Sequence, residues 1–207
     1  MTQLNVQIDP GDLMRAKLML SGIKNAVPKV SMRAINKTLT GIRTDAVEEI
    51  SNIITPTKTV IRNTFTIVKA TSSKPSALVK STGYPLGLVY YGASKTTKGV
   101  SVQVKRSGER TLFPHAFFTV VGHTAKGVAK KQVFSRIYKG ARTKAKPTAA
   151  WKAMPKKYRL PVKKLAGPRV ADIFSNNAVF DAVSKKAWPR LKKNFNHEID
   201  YELSRHK

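Results

Sequence analysis

The spacing of apolar residues changes twice along this chain, and this change constrains the fold more than any other feature. Residues 34–53 and 180–203 carry apolar side chains every three or four positions, which is the period of an amphipathic helix. Between these regions the apolar runs are short and β-rich, and Val100–Lys105 alternates strictly. The pattern predicts an α+β fold with N-terminal helices, a central mainly antiparallel β-sheet of about six strands, and C-terminal helices.

Capping residues and prolines set the predicted helix boundaries. Asp9-Pro10 is a turn with a capping residue that introduces a first helix over about 13–26. A longer helix is predicted from Pro28 to Ile54, followed by a short one capped by Thr57. Near the C-terminus, helices are predicted after Gly167-Pro168, with a kink or a new helix start at Pro189.

The β-rich region divides into short runs separated by turn residues. Pro114 is expected at an edge or a bulge, because proline cannot donate a hydrogen bond to a strand ladder. The predicted strands are 65–68, 77–79, 86–91, 100–105, 111–121, 133–138 and 158–165.

A single domain is predicted for residues 1–207, a length that one core can serve. Within it, residues 1–56 are the N-terminal helices and residues 167–207 are the C-terminal helices. Residues 57–166 are a basic, β-rich core with a basic insert at 140–158.

Positive charge is concentrated in the middle of the chain. The whole sequence has 39 Lys and Arg against 11 Asp and Glu, a net charge of +28. Residues 51–171 hold 25 of the basic residues and a single acid, Glu109. Such an excess favours a polyanionic partner, with nucleic acid the first candidate and an anionic membrane surface the second. The plainer interpretation is a solvated face that keeps the protein soluble.

The candidate DNA- or polyanion-binding residues lie in the acid-free stretch after Arg110. Lys and Arg bind phosphates without reading sequence, and the chain lacks zinc-finger spacing and the aromatic RNA-binding signature. Few aromatic residues interleave with the basic ones, which disfavours a base-stacking platform. The candidates are Lys126, Lys130, Lys131, Arg136, Lys139, Arg142, Lys144, Lys146, Lys152, Lys156, Lys157 and Arg159.

Catalytic motifs are missing from the sequence. The four histidines are far apart, and His197-Glu198 lacks the second histidine of a zinc-protease helix. Cysteine is absent, which excludes thiolate metal sites and disulfides. No enzymatic activity, cofactor or metal is therefore predicted. The first residues do not resemble a secretory signal and no apolar run reaches bilayer length, so no membrane partner is expected.

Several segments together resemble the prophage minor tail protein Z family of long-tailed phages, which is related to tail completion proteins. The order and spacing of these segments carry the resemblance. They are 33–38 with Ile42-Arg43, 98–104, 112–117, 133–136, Leu160-Pro161-Val162 and Gly167-Pro168. The basic insert from Arg142 to Lys157 departs from the family's pattern by its length.

The resemblance implies a structural, non-enzymatic virion protein at the head-proximal end of a long tail, acting in tail assembly and head-tail joining. Its implied partners are other tail proteins (the tail terminator, the tail tube or the connector) and further copies of itself in a ring, expected to be a hexamer. The basic surface would face double-stranded DNA. The implied location is the virion tail, with the host cytoplasm during assembly. The alternative is a free nucleic-acid-binding protein without sequence specificity.

Overall fold

The computed structural model describes residues 3–81, 83–123, 125, 129–136 and 162–206, and the statements below concern these residues. The chain forms two compact units. The first comprises residues 1–52, 57–84 and 169–207, and the second comprises residues 53–56 and 85–168. Helices and antiparallel strands are both present, which confirms the α+β class. The prediction that the chain is one domain stays a prediction.

The described part of the chain contains five α-helices, one 3₁₀ helix and nine strands. The α-helices are α1 (Pro10–Met19), α2 (Ala26–Ile53), α3 (Lys58–Arg62), α4 (Val170–Phe174) and α5 (Asn177–Ser204). The 3₁₀ helix is Leu88–Tyr90. The strands are β1 (Gln3–Val6), β2 (Phe65–Val68), β3 (Ala77–Ser81), β4 (Ser94–Thr96), β5 (Gly99–Val102), β6 (Thr111–Pro114), β7 (Phe117–His123), β8 (Ala129–Arg136) and β9 (Val162–Lys164).

The strands form three separate three-stranded sheets, which corrects the predicted single sheet of about six strands. Their orders are β1-β3-β2, β4-β5-β6 and β7-β8-β9, and every pairing is antiparallel. Two of the strands, β1 and β4, were not predicted. Both are only three or four residues long, so they carry too little alternation to stand out from a loop.

The first unit packs its sheet against helix α4. Strand β3 is central, with Val79 paired to Leu4 on one side and to Ile67 on the other. Leu4 and Val79 are buried on that face. Phe65 meets Phe174 of α4 edge-on, with 5.3 Å between ring centroids. The two chain ends are thus joined in one core.

Long helices α2 and α5 complete the first unit, and each buries a stripe of side chains at the spacing predicted for it. The α2 stripe includes Val30 and Ile42, and the α5 stripe includes Val183 and Phe195, all at most 1% exposed. Helix α5 runs through Pro189, so a new helix start there, one of the two predicted alternatives, is wrong, and the predicted kink stays a prediction. Proline lacks an N–H and crowds the preceding turn, but tertiary packing of the flanking stripe offsets that cost.

Ion pairs link α2 to α5 in a regular antiparallel series. Each step along α2 of four, eight and four residues is matched by the same step backwards along α5. The pairs are Arg33–Glu202 at 2.8 Å, Lys37–Glu198 at 4.0 Å, Asp45–Arg190, and Glu49–Lys186 at 2.7 Å. We call this series the ion-pair ladder.

The second unit contains the sheets β4-β5-β6 and β7-β8-β9. Residues 53–55 add to the first of them, since Ile54 bridges Lys105 and the N–H of Thr55 donates to Val104 O at 3.2 Å. The start of the 3₁₀ helix and the residue before it add to the second, since Gly87 bridges Ala166 and Leu88 N donates to Leu165 O at 3.2 Å. Both sheets are therefore extended by short backbone pairings that the sequence pattern does not predict.

A strand predicted over 86–91 is a bridge followed by the 3₁₀ helix. Apart from Gly87, which has no side chain, its buried residues are Leu88 and Tyr91, at 1% and 0% exposure. They are three positions apart, and residues i and i+3 share one side of a 3₁₀ helix. The run is apolar, but its burial has a period of three and not two.

The predicted strand over 111–121 breaks in two at the proline. Pro114 is the last residue of β6, which is an edge strand as expected. His115 then takes a positive φ of 59°, which turns the chain out of one sheet and into the next. Strands β6 and β7 consequently belong to different sheets.

Several predicted boundaries shift by a few residues. Asp9 caps α1 by accepting a hydrogen bond from Gly11 N at 2.9 Å, so the helix starts at Pro10, and it ends at Met19 rather than near residue 26. Strand β8 begins at Ala129, four residues before its predicted start. The predicted residues 137–138 and 158–161 lie outside the described residues.

The Gly167-Pro168 pair does not open a helix directly. Helix α4 begins at Val170, with Arg169 as its N-cap, so Pro168 stands before the cap. Gly167 lies against the ring of Tyr91, and the Tyr91 hydroxyl donates to Pro168 O at 2.8 Å. The pair therefore serves to close the second unit around a buried tyrosine.

Candidate nucleic-acid interface

The second unit carries most of the protein's excess positive charge. Its residues 53–56 and 85–168 hold 19 Lys and Arg and one acid, Glu109, whereas the first unit holds 20 basic and 10 acidic residues. Nine basic side chains among the described residues of this unit are exposed. They are Lys95, Lys98, Lys105, Arg106, Arg110, Lys130, Lys131, Lys163 and Lys164.

Two adjoining concavities on this unit form what we call the basic groove. The first has a volume of about 330 Å³ and lies where the β4–β5 turn meets the start of β7. Its basic lining residues are Lys95, Lys98 and His115. The remaining lining residues are Thr96, Thr97, Gly99, Ala116, Phe117 and Phe118.

The backbone around the first concavity is tightly fixed. Gly99 pairs with Pro114, and a side chain at Gly99 would collide with the carbonyl oxygen of Phe113. His115 N donates to Lys98 O at 3.0 Å, which ties the residue with positive φ to the β4–β5 turn. A histidine in this conformation costs on the order of 1 kcal/mol and persists only where its surroundings hold it.

The second concavity continues the first, because both are lined by Lys95 and Phe118. It has a volume of about 870 Å³ and reaches Lys131 of β8. Lys131 is paired across the ladder with Val120, which is 47% exposed. The lining also includes Val89, Ala93 and Thr119. No residue of either lining is acidic, so the groove offers cationic and hydroxyl donors beside apolar surface.

Of the predicted polyanion-binding residues that the structure describes, one lines the basic groove. Lys131 lines it, and Lys130 is its exposed neighbour. Arg136 is half-buried at the far end of the same strand. It lies five positions after Lys131, so the two side chains lie on opposite faces and about 17 Å apart. The other nine candidates lie outside the described residues: Lys126, Lys139, Arg142, Lys144, Lys146, Lys152, Lys156, Lys157 and Arg159.

Lys95, Lys98 and His115 were missed as site residues. The charge count over 51–171 includes both lysines, but the candidates were drawn from the longer acid-free run that follows Arg110. The signal that points to them is topological, since Lys98 and His115 are 17 positions apart and meet only because β5 and β6 form a hairpin.

Arg110 is exposed but already engaged by the fold. Its Nη2 donates to Gly92 O at 2.6 Å, to Ser94 Oγ at 3.0 Å and to Ser101 O at 3.0 Å, and its Nε donates to Ser101 Oγ at 3.0 Å. These bonds tie β4 to β5. Arg110 thus stabilises the hairpin that shapes the groove, and its guanidinium has few donors left for a phosphate.

Among the described residues, no group of three or more His, Cys, Asp or Glu is placed to hold a metal ion. None of the described helices is both long and apolar enough to cross a membrane.

The comparisons with known proteins give one match. The family model of prophage minor tail protein Z (GPZ) matches residues 13–206 of the 207-residue chain. Searches of curated proteins and of solved structures found no match. The match spans all five α-helices except the first three residues of α1, and it includes both long helices and the whole second unit. The chain therefore belongs to the prophage minor tail protein Z family and is a phage minor tail protein, a component of the virion tail.

Proposed function

We propose that this protein acts in tail assembly and head-tail joining at the head-proximal end of a long tail, as a tail completion component without enzymatic activity. It works there as a ring of identical subunits, a hexamer, against the tail terminator, the tail tube or the connector. Family membership supports the tail location. The finer position follows from the family's resemblance to tail completion proteins.

The observation that carries the DNA-facing part of this proposal is the separation of charge between the two units. The first unit balances half of its basic residues with acids, and four of those acids are used in the ion-pair ladder. The second unit has one acid against 19 basic residues. A surface this basic attracts a polyanion. In a tail, that polyanion is the double-stranded DNA that passes from the head.

Charge reversal in the basic insert tests the DNA contact. We expect Lys144→Glu, Lys146→Glu, Lys156→Glu and Lys157→Glu, combined in one phage, to reduce infectivity strongly, because the surface would then repel DNA. The matched control replaces four lysines of the first unit, Lys17, Lys24, Lys29 and Lys69, by Glu. Full infectivity of the insert variant would overturn the DNA-facing role.

The position in the particle is tested separately. Particles made without this protein should contain finished heads and tails that fail to join, visible by electron microscopy. The protein should also be detected in purified virions by mass spectrometry. A free nucleic-acid-binding protein would instead be missing from virions and stay monomeric or dimeric in solution.

A further inference from the structure

We propose that the first concavity of the basic groove is a seat for phosphates of the DNA backbone, with Lys95, Lys98 and His115 as its ligands. This inference rests on the proposed DNA contact and adds a site outside the basic insert. The ligand class is a phosphodiester, which the site binds without reading bases.

The lining has the chemistry that phosphate oxygens require. Each lysine ammonium offers three donors, the imidazole of His115 offers at least one, and the exposed hydroxyl of Thr97 offers another. Lysines bind phosphates as point charges on flexible stems, so they suit a backbone whose groups differ in position along the strand.

Electrostatic competition at this seat is weak. The single acid of the second unit, Glu109, lies in the loop at the other end of the β5–β6 hairpin. Gly99 pairs with Pro114 beside the concavity, and Val102 pairs with Thr111 before that loop. Three strand residues span about 10 Å. This is about one Debye length at 0.1 M salt, so salt weakens the effect of Glu109 on the seat.

The seat is preorganised by the backbone and not by long side chains alone. His115 is held at positive φ by its N–H bond to Lys98 O, and the Gly99 position excludes any side chain. Folding therefore already fixes His115 beside the β4–β5 turn, so binding does not have to meet the entropy cost of placing it there. A preorganised site loses less on binding than a mobile basic tail does.

The groove also defines the path that a bound DNA strand would follow. From the first concavity it passes Phe118 and Val120 to Lys131, one of the exposed lysines of β8. A phosphate seated at Lys95 and Lys98 would thus be followed by another near Lys131. Sugar edges would lie against the apolar wall between them.

The test compares binding of a fluorescein-labelled DNA duplex by the full-length protein over a series of salt concentrations. One variant combines Lys95→Gln with Lys98→Gln, and a second adds His115→Asn, because asparagine tolerates the positive φ. The matched control combines Lys17→Gln with Lys24→Gln, which removes the same charge from exposed positions of the first unit. We expect the double variant to bind roughly tenfold more weakly and its salt slope to fall by about two, since each phosphate contact contributes about 0.9.

Each outcome decides the proposal. If the wild type binds the duplex and the double variant binds it equally well, the seat is wrong while the DNA contact stands. If the wild type does not bind the duplex, both the DNA contact and the seat are wrong. A loss of the same size in the control variant would assign the effect to net charge and overturn the seat.

Amide NMR shifts separate the two sources of phosphate. Addition of the duplex should shift the signals of Lys98 and His115 at far lower concentration than inorganic phosphate does. Shifts with inorganic phosphate but not with the duplex would overturn the DNA ligand. If the His115→Asn variant unfolds, the double lysine variant alone decides the outcome, because both lysines are exposed.

Discussion

Gly167 shows at the residue scale how one missing side chain positions a buried ring. A Cβ at this position would lie 2.5 Å from Cε2 and 2.7 Å from Cζ of Tyr91. The ring cannot retreat, because Tyr91 is fully buried and its hydroxyl is bonded to Pro168 O. The contact explains why glycine precedes proline here better than a helix-start rule does.

We expect Gly167→Ala to destabilise the protein by about 1–3 kcal/mol, the usual cost of overpacking a core. Chemical denaturation with fluorescence detection measures the change. Gly22→Ala is the matched control, since a Cβ there meets nothing within 4 Å. Equal stability of the two variants would contradict the role assigned to Gly167.

Tyr91 also makes stability depend on pH at the alkaline end. Burial raises the pKa of Tyr91 to about 12, whereas a tyrosine in an unfolded chain ionises near pH 10. Between about pH 10 and 12 the unfolded chain releases a proton that the folded chain keeps. The stabilising contribution is therefore complete below pH 10 and is lost as the pH rises towards 12.

The comparison of wild type with Tyr91→Phe isolates this effect from other alkaline titrations. At pH 7 the variant should be less stable by about 1 kcal/mol, because the bond to Pro168 O is lost. The difference should shrink as the pH rises from about 10 to 12, since only the wild type can ionise at this position. Urea denaturation at each pH measures it, and a constant difference would show that Tyr91 does not ionise on unfolding.

The ion-pair ladder operates at the scale of elements, where it fixes the register of α2 and α5. Both helices carry two cations and then two anions at spacings of four, eight and four. Antiparallel alignment pairs every charge with its opposite, whereas parallel alignment would pair like with like. The ladder also depends on Gly41, because a Cβ there would lie 2.8 Å from Cζ of Arg190 on its way to Asp45.

Double-mutant cycles should rank the ion pairs of the ladder by their coupling energies. Asp45 is 10% exposed and Arg190 35%, so we expect their coupling energy to be about 1–3 kcal/mol. Lys186 and Glu49 are more exposed, at 47% and 25%, and should couple more weakly than Asp45 and Arg190. The cycles use alanine at each position and thermal unfolding at low salt. A larger coupling energy for Glu49–Lys186 than for Asp45–Arg190 would contradict the ranking by burial.

How far the sequence predicts the elements depends on whether their signal is local. The stripes of α2 and α5 were predictable because a helix buries residues three and four apart. The charge order that pairs these helices is equally visible in the sequence, but a sequence pattern does not show which two helices lie side by side. The 3₁₀ turn at Leu88 and the break at His115 were not predictable, since burial of Tyr91 and the change of sheet are tertiary effects. Lys98 and His115 meet for the same reason.

At the scale of the whole molecule, the two units differ in how many of their basic residues are balanced by acids. The first unit uses its acids within its own fold: Asp45 pairs two helices, and Asp9 caps a third. The second unit holds one acid, and the lysines among its described residues are exposed to solvent. The unit with the long helices balances half of its basic residues with acids, which lowers the self-repulsion that a net charge of +28 would impose on it.

This division predicts where DNA protects the protein from chemical modification. When lysines are acetylated with and without a DNA duplex, Lys95, Lys98 and Lys131 should be protected several-fold by the duplex, because phosphates cover their ammonium groups. Lys17 and Lys24 in the first unit should react equally in both conditions, although they are just as exposed. Mass spectrometry of the digested protein measures every site at once, so each molecule carries its own control. The protection should disappear at 1 M salt, where the Debye length falls to about 3 Å. Uniform protection of both units would contradict the division of charge as the basis of DNA contact.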